Sequence, residues 1–234
     1  MKKTLFSWSS GKDATLAYYY LKQQQEVHAL FTTINSAYQR VSMHGLRHTL
    51  LTQQAQALNT PLITVNLPQH TTMASYNKAM KKCLKEQQTK GFTQCGFGDI
   101  FLEDLKEYRE KFFSKLGYIT HFPLWKKDTK ALAQELISLG FKAITICVKA
   151  DVLGSEFVGR NVDDEFLRAL PPNVDPCGEN GEFHTFCYDG PIFNKPIPFA
   201  IGKTVFRDYR TTQETLPTKE NLPYGFWYCD LKPV

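Results

Sequence analysis

The sequence predicts an α/β fold: a five-stranded parallel sheet with helices on both faces, followed by a smaller α+β unit. Three observations carry this expectation. Short runs of β-branched, aliphatic and aromatic residues alternate with segments of helical period up to Phe122. The stretches between those runs are long enough for the crossovers of about a dozen residues that parallel neighbours require. After Pro123-Leu124-Trp125 the rhythm gives way to short helices, a proline pair and scattered strands.

Lys3 to Trp8 is the first strand. Ser9-Ser10-Gly11-Lys12-Asp13 breaks the pattern, and Ala14, Ala17, Tyr18 and Leu21 then recur at helical spacing, so the chain opens as strand, tight loop, helix. Val27 to Ile34 repeats the strand signal. Leu46, Leu50, Leu51, Ala55 and Leu58 trace one face of a helix that stops near Asn59, ahead of Pro61. Leu62 to Leu67 forms the third strand. Met73, Tyr76, Met80, Cys83 and Leu84 line the next helix, which ends at Gly91, and Phe92 to Phe97 follows as the fourth strand. Leu105, Tyr108, Phe112, Phe113 and Leu116 lie on a helix closed by Gly117, and Tyr118 to Phe122 supplies the fifth strand. Beyond Trp125, Asp128 caps a helix with Leu132, Leu136 and Ile137 inward, and Ala143 to Val148 reads as a strand. A short helix near Asp163 to Leu170, Pro171-Pro172, a polar loop from Asp175 to Glu182 and short strands up to Tyr228 complete the chain. A boundary near residue 127 divides it into 1–127 and 128–234, with no linker rich enough in Pro, Gly or Ser for independent motion.

Composition narrows the function classes. A chain of 234 residues, 42% hydrophobic and 22% charged, can bury a sizeable core, and it contains no run near the roughly 18 apolar residues of a membrane helix. Met1-Lys2-Lys3 opens like an export signal, but Ser7, Ser9, Lys12 and Asp13 interrupt the apolar region such a signal needs. The expectation is a soluble, cytoplasmic protein with no membrane partner. The six cysteines contain no C-x-x-C and fall mostly in apolar segments, which suits buried reduced thiols better than zinc or redox chemistry. A net charge of +5 fits nucleotide phosphate as well as RNA and does not choose between them.

In parallel sheets of this kind ligands bind outside the carboxyl ends of the strands, where the winding direction reverses, and the Ser9 to Asp13 loop is expected there. At a strand-to-helix junction the backbone N–H groups and the helix dipole both favour an anion. Gly11 lets the backbone approach phosphate, Lys12 supplies positive charge, and the Ser9 and Ser10 hydroxyls can donate. An ordinary turn with a serine cap is the plainer reading of the same residues. The loop is neither G-x-x-x-x-G-K-[ST] nor G-x-G-x-x-G, which argues against those nucleotide-binding classes.

The segment resembles the S-G-G-K-D-S loop of the N-type ATP pyrophosphatases. Nearly the whole chain is similar to their diphthine-ammonia ligase (diphthamide synthase domain) branch, bacterial-type members included. The resemblance is carried by Ser42-Met43-His44-Gly45, Gly98-Asp99-Ile100-Phe101-Leu102-Glu103-Asp104 and Phe122-Pro123-Leu124-Trp125. Most specific is Asp175-Pro176-Cys177-Gly178-Glu179-Asn180-Gly181-Glu182-Phe183-His184-Thr185, which is similar to the signature G-E-x-G-E-[FY]-x-T. The resemblance implies a HUP or adenine nucleotide alpha hydrolase-like (PP-loop) domain over 1–127 and a substrate-binding domain over 128–234. It also implies an ATP-dependent, amide-forming ligase that adenylates a carboxylate, releases pyrophosphate and leaves AMP to be displaced by ammonia. Two departures stand out: Ser10 replaces the first loop glycine, and Ala14 replaces the closing serine. Each lost hydrogen bond to a charged group is worth about 1.5–3 kcal/mol, unless water or Thr15 compensates.

On this reading Ser9, Ser10, Gly11, Lys12, Asp13, Ala14, His44 and Gly98 bind ATP. Mg²⁺ is held largely by the nucleotide, with Asp13 as a candidate ligand. Lys12, Asp13, Asp99, Glu179, Glu182 and His184 are the catalytic candidates. Glu179 and Glu182 suit an ammonium ion or its proton, and His184 suits proton transfer near neutral pH. Glu103, Asp104, Asn180, Gly181 and Thr185 are candidates for substrate binding, although first-turn acids such as Glu103 and Asp104 are expected on any helix. Arg109, one of a run of charges, and the lysines at 78, 81, 82, 85 and 90 read as solvated. His44 and His48 are four apart on an expected helix but lack the H-E-x-x-H pattern of zinc enzymes. The expected partners are ATP, ammonia and a small-molecule or protein-borne carboxylate. No RNA-binding appendage is visible, and a homo-oligomer is left open. The alternatives are a tRNA-modifying ATP pyrophosphatase and a non-catalytic nucleotide sensor.

Overall fold

The computed structural model describes residues 2–42, 45–208 and 225–234. Five strands run parallel in the order β4-β2-β1-β5-β6: β1 (Lys3–Ser7), β2 (Ala29–Asn35), β4 (Leu62–Leu67), β5 (Phe92–Gly96) and β6 (Ile119–His121). This is the expected parallel sheet. A two-residue strand, β3 (Arg40–Val41), pairs antiparallel with the end of β2 and was not legible in the sequence. Because both faces are covered, successive strand residues are apolar rather than alternating. Leu5 enters a core with Ala29, Phe31, Met80, Leu84 and Phe113, whereas its neighbour Phe6 enters another with Trp8, Ala17, Tyr18 and Leu50.

The first of these cores is covered by α3 (Met73–Thr89) and α4 (Glu103–Ser114), the second by α1 (Lys12–Gln24) and α2 (His48–Ala57). Capping fixes several starts. Thr72 and Ser75 form a reciprocal capping box on α3. Asp128 accepts from the Ala131 amide at α5 (Thr129–Ser138), and Asp163 accepts from Phe166 at α6 (Asp164–Ala169). Leu46 precedes α2 rather than riding on it, because that helix begins at His48.

The C-terminal strands are longer than the sequence suggested. β7 (Lys142–Lys149), β8 (Phe183–Asp189), β9 (Phe199–Asp208) and β10 (Gly225–Pro233) build a four-stranded antiparallel sheet in the order β8-β7-β10-β9. It packs on the α1/α2 side: Phe6, Trp8 and Tyr18 share one continuous apolar cluster with Ile144, Ile146, Phe166, Phe183 and Phe186. Trp8 and Tyr18 meet edge to face at 5.6 Å. Each fully buried side chain of this size contributes about 1.5–3 kcal/mol. Five of the cysteines are buried, Cys83 is partly buried, and all six are free thiols, as their spacing suggested.

Candidate functional site

From β1 the chain winds through β2 to β4 on one side, then returns to β5 and β6 on the other. The loops after β1 and β5 therefore face each other at the reversal point, where such sheets bind ligands. They touch directly. A Cβ on Gly98 would lie 3.0 Å from both the nitrogen and the Cα of Ala14, so a side chain there would crowd the β5 loop away from the first turn of α1.

Ser10 is fully buried with φ of +77°, a conformation that L side chains adopt at a cost, and its Oγ has no hydrogen-bond partner among the described residues. Its carbonyl is well held, accepting from the Cys187 amide (2.9 Å) and from Gln54 Nε2 (3.0 Å). Gln54, also fully buried, accepts from Trp8 Nε1 (2.9 Å) and donates to the Cys187 carbonyl (2.6 Å), tying α2, the loop and β8 together. The Ser10→Gly substitution removes both the strained φ and the orphaned hydroxyl. It should stabilise the protein by about 1 kcal/mol, read as a higher urea midpoint with an unchanged slope.

Lys12 is 2% exposed, so the loop's cation is not open to solvent. Its Nζ donates to both Asp13 oxygens (2.8 Å each) and to the Cys177 carbonyl, and lies 5.2 Å from the centre of the Phe183 ring. Burial is the largest single influence and works against its charge, but Asp13, Cys177 and Glu179 together outweigh it and the ammonium titrates above its ordinary value. The Lys12 amide donates to Thr185 Oγ1 (3.0 Å), and the Gly11 amide leans on Ser9 Oγ (3.4 Å). Thr15 does not compensate for Ala14, because its hydroxyl is bound to the Gly11 carbonyl (2.8 Å).

Asp99 is buried and its carboxylate meets Arg109, with Nε to Oδ2 at 2.7 Å and Nη2 to Oδ1 at 3.1 Å. Arg109 is therefore not a solvated charge: it is partly buried, and its guanidinium stacks 4.6 Å from the Phe97 ring. Burial raises the Asp99 carboxyl, opposed by Arg109. Glu103 and Asp104 are exposed in the first turn of α4, Glu103 paired with Lys126 at 3.1 Å.

The loop from Asp175 to Glu182 closes over this crevice. Glu179 accepts from the Ile100 amide (2.8 Å), reaching the β5 loop from the far end of the chain. Burial pushes its carboxyl up to about 7; the Ile100 bond opposes this, Asp13 and Asp99 add to it, and Lys12 opposes it. Glu182 has a different job. Its Oε1 accepts from the Asp175 amide (3.0 Å) and from Asn180 Nδ2 (3.1 Å), holding the loop's shape from a buried position. Gly178 has φ of +68°, and a Cβ there would meet the Phe183 ring at 2.8 Å, so the turn excludes side chains. Gly181 also has positive φ, with open space around it. The His184 imidazole is pushed down to about 4, by burial first and by Lys12 second. It is neutral at physiological pH and does not titrate there, contrary to the sequence expectation.

His184 also lines a cleft of about 950 Å³ between the two sheets. One wall is the carboxyl end of β2 and β4 with the following loop, including Thr33, Asn35, Arg40, Ser42 and Gly45. The other is the antiparallel sheet, where His184, Cys147, Tyr228 and Val205 stand opposite one another in a single row across four strands. The Tyr228 ring packs where a side chain at Gly45 would begin (3.5 Å). At the rim, Asp230 binds Arg40 (2.9 Å) and Arg47 (2.6 Å), joining β10 to the first half. Gln54, Cys147, Tyr228 and Asp230 carry no local signal, because each matters only through partners far away in the chain. His44, expected to line the nucleotide pocket, lies outside the described residues, and so does any pairing with His48.

Among the described residues no group of three His, Cys, Asp or Glu side chains could hold a metal ion, and both Asp13 oxygens are engaged by Lys12. The side chains of the described residues thus do not form a dedicated Mg²⁺ site. No helix of the described residues is long and apolar enough to cross a membrane.

Comparison with known proteins adds the following. Residues 1–119 match the family model for the Diphthamide synthase N-terminal domain, and residues 128–212 match that for the Diphthamide synthase C-terminal domain. The chain is similar to a Diphthine--ammonia ligase of Danio rerio, 38% identical over 35% of this chain and 34% of that protein. A second Diphthine--ammonia ligase, from Schizosaccharomyces pombe, is 33% identical over 41% of this chain and 16% of the relative. The aligned segments span about a third or less of these relatives. A solved structure, the predicted subunit of tRNA methyltransferase from Methanocaldococcus jannaschii, covers 62% of this chain and 80% of its own. The two are 15% identical, with a TM-score of 0.43.

Proposed function

Because the chain belongs to the diphthamide synthase family, we propose that it is an ATP-dependent ligase that adenylates a substrate carboxylate and amidates it with ammonia. One observation supports this above the others: the acidic C-terminal loop and the start of β8 are docked on the Ser9 to Asp13 loop and the β5 loop, through Thr185 on the Lys12 amide, the Cys177 carbonyl on the Lys12 ammonium and Glu179 on the Ile100 amide. In this proposal residues 1–127 bind ATP and residues 128–234 bind the acceptor.

Each half-reaction has a residue suited to it. In the first, an acceptor oxygen attacks the α-phosphorus and pyrophosphate leaves. Lys12, once released from Asp13 and Cys177, offsets the charge that builds on phosphate. In the second, the ammonia nitrogen attacks the acyl carbon, AMP departs with the bonding pair, and one proton must be taken up. Glu179, with its carboxyl near 7, is matched to that proton at physiological pH, whereas His184 near 4 is too weak a base and Glu182 is committed to its loop. Mg²⁺ would arrive on the nucleotide's phosphates, and no step here relies on it.

A second reading, a nucleotide sensor without turnover, is favoured by the sealed loop, in which Lys12, its amide and the Ser10 carbonyl are all engaged within the protein. Pyrophosphate release separates the two. The ligase should release pyrophosphate from ATP only when a carboxylate acceptor is added, and should yield amide only when ammonium is also present. Tight ATP binding with no pyrophosphate from any acceptor pool would leave the sensor.

A further inference from the structure

The second wall of the cleft carries an exposed arginine that has no carboxylate partner among the described residues. Ligand sites commonly run from about 300 to 1,000 Å³, and at about 950 Å³ this one lies at the upper end of that range. Of the arginines that line it, Arg40 is spent on Asp230 and the Gly45 carbonyl. Arg207 has no carboxylate partner among the described residues and sits over the Tyr228 ring, 5.8 Å from its centre.

Register places Arg207 relative to the reacting end. His184 pairs with Cys147, Cys147 with Tyr228 and Tyr228 with Val205, so three strand spacings, about 14 Å, separate the His184 end from β9. Arg207 is two residues along β9 from Val205, on the same cleft-facing side and paired with Phe226. The His184 end is the one next to the phosphate loop, because the adjacent residue on the strand, Thr185, accepts from the Lys12 amide (3.0 Å). Between the two ends the floor is Cys147, Ile146, Tyr228 and Phe226, which is apolar and aromatic. The Cys147 thiol is pushed up to about 12 by burial and hydrogen-bonds Tyr228, so it lines the floor as a neutral group.

We propose that the acceptor is a small acid with two anionic ends: its reacting carboxylate lies at the His184 end, its apolar body lies along Cys147 and Tyr228, and its second anionic group is held by Arg207. This rests on the ligase reading above and names the substrate class for it. An anion at Arg207 could instead be a phosphate of the nucleotide itself, so the test must tell the two apart.

The experiment uses the full chain, saturated with AMP, and measures binding of terephthalate and suberate against benzoate and octanoate by calorimetry. ATP binding is measured in parallel for the unsubstituted protein and for Arg207→Gln. The expected result is that the diacids bind about tenfold or more tighter than their single-charge partners, that Arg207→Gln erases this preference, and that ATP binding is unchanged. Equal binding of diacids and monoacids, no binding of any acid, or a preference that survives Arg207→Gln overturns the inference. So does loss of ATP affinity in Arg207→Gln with the diacid preference intact, which would assign Arg207 to the nucleotide. Failure of the unsubstituted protein to bind ATP would instead sink the ligase reading itself.

Discussion

Replacing Lys12 with methionine should lower acceptor-dependent pyrophosphate release by at least about 10²-fold, the scale seen when a group facing developing charge is removed. Methionine keeps much of the buried stem but removes the ammonium that Asp13, the Cys177 carbonyl and the Phe183 ring surround. The variant should lose some stability as well, since the Cys177 carbonyl and the Asp13 carboxylate each lose a donor, although Asp13 is 28% exposed and water replaces part of the loss. Thermal melts separate this from the catalytic effect. A folded Lys12→Met protein that turned over within about fivefold of the parent would show that the lysine is a structural pin and not the phosphate's counter-charge.

The second large effect belongs to Glu179. With its carboxyl near 7, the amidation rate at constant free-ammonia concentration should rise with pH and level off above about 7, and Glu179→Gln should both flatten that inflection and cut amide formation by roughly 10²-fold. Stability should move the opposite way. The folded-state value lies above the ordinary 4.5, so the folded protein holds the proton more tightly than the unfolded chain; the native state is favoured at low pH and loses stability as pH rises from about 4.5 to 7. Partial exposure of the group limits the loss to about 2 kcal/mol. The difference in unfolding free energy between Glu179→Gln and the parent should therefore grow across that window and stay constant above it. His184, whose value is depressed, contributes an opposing slope between about 6.5 and 4, which is why the variant must be compared with the parent rather than read alone. A pH-independent difference would mean that Glu179 does not change its protonation in this range.

What could be read from the chain and what could not divide along the distance between partners. The parallel sheet was legible because each strand and helix announces itself within its own residues: apolar runs bounded by Gly91, Gly117 and Pro61, and a loop where Ser9 interrupts the first strand. The cap at Asp128 acts over three residues and was equally visible, whereas at Asp163 only the short helix, not its cap, was legible. The pairing of Asp99 with Arg109 was missed although the two are only ten apart, because α4 must first fold back over β5 to bring them together. Glu179 and Glu182 could not be told apart, since both belong to one motif and only the fold reveals that one reaches the Ile100 amide while the other braces its own loop. Ser10 was recognised as a departure, but its cost, a left-handed backbone around an orphaned hydroxyl, is a property of the folded loop.

The apolar cluster that runs without a break from Phe6 and Tyr18 into Phe166 and Phe186 has an evolutionary corollary. A module that owned a separate interior could be traded between lineages as a cassette, but here each half completes the other's packing, with Gln54 stitched to the Cys187 carbonyl at the seam. Grafting the C-terminal half of one relative onto the N-terminal half of another would juxtapose two surfaces that never adapted to each other. New ligand specificities in this lineage are thus expected to arise by residue changes within the two halves, with both inherited together.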